Sequence, residues 1–164
     1  AMVVLPSSDV EVIGYKGALV LDLADATVHE GAFNVTNVRV SYLDNGDRFN
    51  IVTHEYTPSD DKADGKLDPS RPYYREPLFT ADILGNSTVV DLMSKLIDSD
   101  QPDAIGITLG SPNGVQPDLG FEFRFTRTDD SVGYQSASME TYSIYNMRLD
   151  IRPILIRRPL YQYK

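Results

Sequence analysis

Hydrophobic and polar residues alternate along several segments with the two-residue period of a strand that has one buried face. The segments 35–42 and 121–126 follow this pattern, and a shorter apolar run occupies 18–23. The segment 145–152 alternates as well, and an unbroken strand there places on one face Tyr145, Met147, Leu149 and Ile151. With the remaining short apolar runs, the pattern predicts about eight strands.

A hairpin is predicted where the first long alternating segment ends. Asn45-Gly46 is a strongly preferred sequence for a two-residue turn between antiparallel strands. Such a turn would pair Tyr42 with Phe49 and Val40 with Ile51, so apolar partners would share one face. We therefore expect the two segments on either side of the turn to pair directly.

One amphipathic helix is predicted over about residues 88–98. Apolar residues recur there at the three- and four-residue spacings of a helix with one buried face, at Val89, Leu92, Met93 and Leu96. Thr88 and Asp91 have the spacing of a capping box, in which the Thr88 hydroxyl accepts a hydrogen bond from the first turn. The Ser-Asp-Gln-Pro sequence at 99–102 would end the helix.

These elements indicate a mainly β fold. We expect an antiparallel β-sandwich or small barrel of about eight strands, with the helix inserted, because a parallel α/β fold would need several helices. The length of 164 residues fits a single domain, 1–164. The arrangement of strands, one mid-chain helix and a long loop is similar to that of ring-forming tube subunits of injection machines and phage tails; this analogy rests on arrangement alone, since no residue motif carries it.

Charge is distributed unevenly along the chain. The net charge of −9 argues against broad binding to nucleic acid or to an anionic membrane surface. The C-terminal strand and tail, at about 145–164, are basic although the chain as a whole is acidic. From residue 148 onwards, five basic residues and one acidic residue, Asp150, give a net charge of +4. The rest of the chain therefore carries −13. The five are Arg148, Arg152, Arg157, Arg158 and Lys164. Either this strand lies beside acidic strands of its own chain, or it meets an acidic partner, which could be a second copy.

Composition restricts the chemistry further. The chain has no cysteine, which excludes disulfides, thiolate catalysis and cysteine-ligated metals. The lack of cysteine and of a recognisable signal peptide slightly favours the cytoplasm. No apolar run approaches the roughly 18 residues of a spanning helix, so no membrane span is expected.

Residues 57–77 break the strand pattern, and they are rich in proline and aspartate. A loop of this length is usually functional or disordered. Four aspartates could supply oxygen ligands for calcium there, namely Asp60, Asp61, Asp64 and Asp68. Lys62 occupies a position where an EF-hand needs an oxygen ligand, so the alternative is a solvated acidic loop with no cofactor.

The end of the same loop holds a second candidate site. Tyr73, Tyr74 and Arg75 lie between two prolines, and tyrosine gives a large rigid contact area with a polar tip. This triplet predicts a contact surface for a protein or a carbohydrate. The alternative is that it folds back over a sheet edge.

No catalytic motif is evident. His29 and His54 have no serine nearby in a nucleophile-like sequence, and no glycine-rich phosphate loop occurs. Glu122 and Glu140 flank aromatic strands and are the candidates for the paired carboxylates of an acid/base hydrolase.

Three functions follow from these observations. The first is a non-enzymatic structural or protein-interaction subunit that self-assembles through its C-terminal basic strand and residues 57–77. The alternative is a β-sandwich module that binds carbohydrate or another small ligand, with calcium as the candidate cofactor. The third is an acid/base hydrolase. The candidate partner-binding residues are Tyr73, Tyr74, Arg75, Arg148, Arg152, Arg157 and Arg158.

Overall fold

The computed structural model describes residues 1–111 and 113–157, and within them it contains twelve strands and one helix. The elements are β1 (Met2–Val4), β2 (Asp9–Val12), β3 (Ala18–Asp22), β4 (Thr27–Val28), β5 (Val35–Leu43), β6 (Arg48–Asn50), β7 (Tyr56–Thr57), β8 (Leu78–Thr80), α1 (Thr88–Ile97), β9 (Asp103–Thr108), β10 (Leu119–Thr126), β11 (Val132–Gln135) and β12 (Tyr142–Leu155). The prediction of a mainly β fold with one helix is confirmed. Several strands beyond the expected eight have only two or three residues.

The strands form two sheets, as a β-sandwich requires. The larger sheet has eight strands in the order β3-β5-β12-β10-β9-β8, with β4 also beside β5 and β11 also beside β12. The smaller sheet has the order β1-β2-β6-β7. The pairings are antiparallel except that β8 runs parallel to β9. The helix α1 lies between β8 and β9 in the chain, which is the kind of crossover that a parallel pair needs.

The helix α1 covers one face of the large sheet, which we call the inner face. It buries Leu92, Met93, Leu96 and Ile97 against strand residues that include Val38, Val40, Phe125, Met147 and Leu149. The helix occupies the predicted residues, but the capping box is wrong. Ser87 is the N-cap, with a left-handed φ of 62° and no side-chain cap, and Asp91 instead bonds Lys95 Nζ at 2.9 Å, one turn further along.

The predicted hairpin is also wrong, although the turn itself forms. Gly46 has a φ of 82°, while Asn45 is not among the residues with positive φ, and Asp47 N donates to the Asp44 carbonyl at 3.1 Å. These φ values fit a type II turn, which splays the flanking strands, rather than the type I′ turn of a tight hairpin. β5 therefore pairs with β3, β4 and β12, whereas β6 enters the smaller sheet.

The strand β12 lies inside the large sheet, between β5 and β10. Its pairing with β5 runs to Ile151, opposite Val35, so only the end beyond Ile151 has an open side next to Pro153. Among the described residues, β12 is the longest strand, and it joins the two halves of the large sheet.

Two β-bulges interrupt the pairing of β5 with β12. One extra residue in β12 falls between Ile144 and Met147, and one extra residue in β5 falls opposite the step from Leu149 to Ile151. Asn146 and Asn37 lie at these points with left-handed φ values of 61° and 60°. A bulge changes which face the following side chains occupy. Tyr145 consequently points away from the inner face, which corrects the single face predicted for residues 145–151.

Tyr145 instead belongs to a second apolar cluster between the two sheets. Its ring stacks on Tyr56 with centroids 4.9 Å apart and lies 5.9 Å from Tyr134. Val12 and Leu43 complete the buried part of this cluster. The smaller sheet thus covers one end of the outer face of the large sheet, by which we mean the face opposite α1.

Candidate functional site

The uncovered part of the outer face carries two of the arginines that the sequence singled out. Arg148 and Arg152 both contact Asp150, at 3.8 Å and 3.2 Å. Asp150 is buried, and its Oδ1 also accepts a hydrogen bond from Asn37 N at 2.8 Å. One carboxylate of the same chain therefore offsets part of the charge of two predicted partner-binding residues.

Other arginines on this face have acidic neighbours too. Arg124 bonds Asp103 at 2.6 Å and Glu122 at 3.3 Å, and the bond to Asp103 raises the pKa of Arg124. Arg39 lies 3.5 Å from Asp25. Arg148 and Arg152 thus lie among acidic and basic side chains of their own chain, which agrees with the alternative that the terminal strand meets acidic residues of the same molecule. Both side chains nevertheless stay about half exposed.

Two more predicted partner-binding arginines, Arg157 and Arg158, follow β12 in the sequence. Arg157 is exposed and lies two residues after Leu155, where β12 ends. Arg158 lies outside the described residues. Their predicted role in binding a partner stays a prediction.

A buried lysine anchors the start of the 57–77 segment, and this feature was not predicted. The Nζ of Lys62 lies 3.0 Å from Asp44, 3.6 Å from Asp47 and 3.1 Å from the Ser59 hydroxyl. Asp47 also accepts a hydrogen bond from Ser59 N at 3.0 Å. The three charges fasten the segment to the turn after β5. The signal in the sequence was weak, since a lysine in an acidic loop is normally a surface residue.

The four candidate calcium ligands are exposed and do not converge. Asp61 accepts from the Ser59 hydroxyl at 2.7 Å, and Asp68 accepts from the Ser70 hydroxyl at 2.7 Å. These hydrogen bonds lower the pKa of both carboxyls. Within residues 1–111 and 113–157, no group of three or more acidic or histidine side chains is placed to hold a metal ion. Calcium binding by this segment stays a prediction.

The middle of the segment is held against β11 by its backbone. Leu67 N donates to the Gly133 carbonyl and Gln135 N donates to the Gly65 carbonyl, both at 2.9 Å. A Cβ added to Gly65 would lie 1.9 Å from the Gln135 carbonyl oxygen, so glycine is needed for this close approach. The segment therefore extends the sheet locally.

The tyrosine pair at the end of the segment docks beside the end of α1. The backbone N–H groups of Tyr73 and Tyr74 donate to the Asp98 carbonyl at 3.0 Å and 2.9 Å. Their rings meet edge to face with centroids 4.9 Å apart, and Tyr73 is 77% exposed. The predicted alternative was that this triplet folds back over a sheet edge, and the backbone does fold back onto the protein. The Tyr73 ring nevertheless stays exposed to solvent.

Two depressions share these tyrosines, and we call them together the tyrosine groove. One has a volume of about 410 Å³ and is also lined by Asp98, Gln135, Glu140 and Tyr142. The other, of about 700 Å³, runs along α1 and includes Arg75, Asp91 and Lys95. The structure thus brings Tyr73, Tyr74 and Arg75 together with polar side chains that the sequence did not associate with them.

Tyr142 forms the polar floor of the smaller depression. Its hydroxyl lies 3.2 Å from Gln135 Nε2 and 3.5 Å from Asp98 Oδ2. Burial, with the nearby Asp98 carboxylate, raises the pKa of Tyr142 to about 12. The phenol therefore stays protonated at neutral pH, where it can both donate and accept hydrogen bonds.

The β3 edge, meaning Leu19 and Leu21 on the terminal strand of the large sheet, was not predicted as a site. Leu19 lies opposite Tyr42 and Leu21 opposite Val40, so both leucines share the inner face with the core. They are nevertheless 45% and 56% exposed, because α1 does not reach this end of the sheet. The apolar run at 18–21, followed by Leu23 after Asp22, was the only signal in the sequence, and it is more typical of a covered strand.

The residues considered for catalysis do not form a site. Glu122 lies on the outer face in its ion pair with Arg124, whereas Glu140 lines the tyrosine groove beside α1. His29 Nε2 lies 2.9 Å from the Thr36 hydroxyl, and His54 Nδ1 lies 3.6 Å from Asp22. The two glutamates are on opposite sides of the sheet, so they cannot act on one bond.

Comparison with known proteins adds no family. No family model matches the chain, and no curated protein or solved structure matches it significantly. In the part of the chain that the structure describes, no helix has the length and apolar character needed to cross a bilayer.

Proposed function

We propose that the protein is a non-enzymatic structural or protein-interaction subunit that associates with copies of itself through the β3 edge. The observation that supports this most is the exposure of Leu19 and Leu21 on a strand that ends the large sheet. Soluble proteins normally protect such edges with charges, bulges or a covering segment. An apolar edge can add a strand from another molecule, with backbone hydrogen bonds supplying affinity.

A second copy is a suitable occupant because the same sheet has another terminal strand. β8 ends the sheet on the far side, and it exposes Phe79 at 62%. Contact between β3 of one copy and β8 of the next joins two different surfaces and leaves a free edge at each end. Such heterologous contacts repeat from copy to copy and produce a ring or a filament.

The C-terminal strand is less suited to this role than the sequence indicated. β12 is paired on both sides up to Ile151, and Arg148 and Arg152 already contact Asp150. Association through the arginines would weaken as salt rises, because salt screens exposed charges. Association through leucines would persist or strengthen.

The test is the sedimentation mass at about 0.05 M and about 0.5 M sodium chloride, compared with 18.3 kDa for one chain. We expect a mass of several chains at both salt concentrations. Leu21→Lys places a charge on the half-exposed edge and should return the mass to that of one chain. Val115→Lys is the matched control, since Val115 is fully exposed in the loop between β9 and β10.

Three outcomes would contradict the proposal. A wild-type monomer at both salt concentrations removes self-association. An unchanged mass in Leu21→Lys removes the β3 edge as the interface. A sedimentation mass that falls as the salt concentration rises would assign the self-association to Arg148 and Arg152 instead of the β3 edge.

A second candidate function is the binding of a carbohydrate, and the tyrosine groove supports it. Sugar rings pack on aromatic faces, while planar polar side chains bond their hydroxyl groups. The groove combines Tyr73, Tyr74 and Tyr142 with Asp98, Gln135 and Glu140, which supplies both kinds of contact.

A thermal-shift screen with soluble glycans, with and without calcium, tests the second candidate. Tyr73→Ala should abolish a glycan-induced shift, whereas Tyr15→Ala, at a still more exposed tyrosine outside the groove, should keep it. Dependence on the predicted calcium ligands is tested with Asp61→Asn combined with Asp64→Asn. No shift with any glycan would remove this candidate and leave the β3 edge proposal unaffected.

A further inference from the structure

Two arginines face each other across adjacent strands on the outer face. Arg39 of β5 lies directly opposite Arg148 of β12, in the short stretch between the two bulges. Like charges in directly opposed positions destabilise a sheet unless something compensates them. Their placement therefore raises the question of which negative charge they share.

The carboxylates near this pair are poorly placed to serve both arginines. Asp25 lies 3.5 Å from Arg39 and is 73% exposed, so water screens the interaction. Asp150 lies 3.8 Å from Arg148 through the same oxygen that already accepts from Asn37 N. The Nε of Arg148 is buried and has no hydrogen-bond partner among the described residues. A buried donor without a partner is costly.

The two arginines line a cleft of about 160 Å³. This is far more than the roughly 15 Å³ that one water molecule needs. Asn37, Asn146 and Thr128 also line the cleft and add amide and hydroxyl groups. Both asparagines have a left-handed backbone and lie at the two bulges, and bulges are common beside binding sites.

We propose that the cleft between Arg39 and Arg148 binds a small oxyanion, a carboxylate or a phosphate, that bridges the two guanidinium groups. Guanidinium groups match the geometry of both anions with paired hydrogen bonds. Asp25 and Asp130 also line the cleft and make its formal charge neutral. They limit the affinity, and they favour a ligand small enough to lie between the arginines.

Thermal unfolding tests this site with sodium phosphate, sodium sulfate and sodium acetate at about 10 mM, each against chloride of equal ionic strength. A dissociation constant of about 1 mM would raise the melting temperature by roughly 4 °C. Arg39→Gln and Arg148→Gln should each abolish the rise. Asp25→Asn removes a competing carboxylate and should increase it.

Arg152→Gln is the matched control, because Arg152 lies on the same strand and contacts the same Asp150 outside the cleft. It should keep the full response, which separates a bound anion from general salt stabilisation. A response to acetate but not to phosphate assigns a carboxylate ligand, and the reverse assigns a tetrahedral oxyanion. The proposal is overturned if wild type and Asp25→Asn both show no rise, or if the rise persists in Arg39→Gln and Arg148→Gln.

Discussion

Lys62 holds a full positive charge where only 1% of its side chain meets solvent. Removing a charged group from water costs several kcal/mol, and the cost is repaid only when the partners are close and well placed. Asp44, Asp47 and Ser59 meet that condition for the ammonium group. The arrangement stabilises one position of the start of the 57–77 segment.

Replacing Lys62 by methionine should therefore destabilise the protein strongly. The variant keeps the volume but leaves Asp44 and Asp47 buried without a counter-ion, which costs about 3–5 kcal/mol. Urea unfolding measures the loss. Lys66→Met is the control at an exposed lysine of the same segment, and it should stay within about 0.5 kcal/mol of wild type. Equal losses in the two variants would show that the buried ion group has no special importance.

At the scale of secondary-structure elements, the two bulges determine which face of the sheet the side chains of β5 and β12 occupy. Asn146 N donates to the Ser41 hydroxyl at 2.9 Å, and the Asn146 carbonyl accepts from the Ser131 hydroxyl at 2.9 Å. The backbone groups that lose their ladder partners are thus bonded by side chains. The bulge at Asn146 lets β12 contribute to two different cores, since Tyr145 and Met147 then face opposite sides of the sheet.

Asn146→Ala should cost about 1 kcal/mol, because a residue with a Cβ other than asparagine or aspartate is strained at positive φ. Asn146→Gly should cost less, since glycine adopts this conformation readily. The hydrogen bonds named above use backbone atoms, so both variants keep them. Denaturant midpoints compare the two variants. A larger loss in the glycine variant would contradict a role for backbone conformation.

The elements most open to sequence-based prediction were those whose pattern is purely local. The apolar stripe of α1 and the alternating phenylalanines of β10 were recognised because neighbouring residues alone define their buried faces. The partner of β5 could not be predicted in this way. The neighbouring segment β6 has a suitable apolar pattern, but β5 pairs instead with β12, which lies far along the chain. The opposition of Arg39 to Arg148 depends on the same long-range pairing, and the burial of Lys62 depends on contacts with the turn after β5. The geometry of the ion group at Lys62 and of the cleft between Arg39 and Arg148 therefore could not be predicted from the sequence.

At the scale of the whole molecule, partly or fully buried tyrosines connect the two sheets and the groove. Burial is the main cause that raises the pKa of Tyr42, Tyr56, Tyr142 and Tyr145. A raised phenol pKa means that the folded state retains a proton which the unfolded state releases near pH 10. Stability is therefore complete below about pH 10 and is lost as pH rises toward the folded pKa, about 12 for Tyr142.

We expect the melting temperature to be constant between about pH 7 and pH 9.5 and to fall steeply between about pH 10 and pH 12. Absorbance at the wavelength of ionised tyrosine should show that Tyr42, Tyr56, Tyr142 and Tyr145 ionise only when the protein unfolds. Tyr142→Phe should reduce the steepness of the fall. If all ten tyrosines titrated together near pH 10 without loss of structure, the burial argument would fail.

The position of β12 in the chain has a consequence for synthesis. β5 and β10 become neighbours only when β12, which follows both of them, takes its place between the two strands. Until residue 151 has left the ribosome, both strands present unpaired backbone to other nascent chains. The large sheet therefore cannot close until β12 has been synthesised, and a molecular chaperone that shields β5 would have its greatest effect before that point.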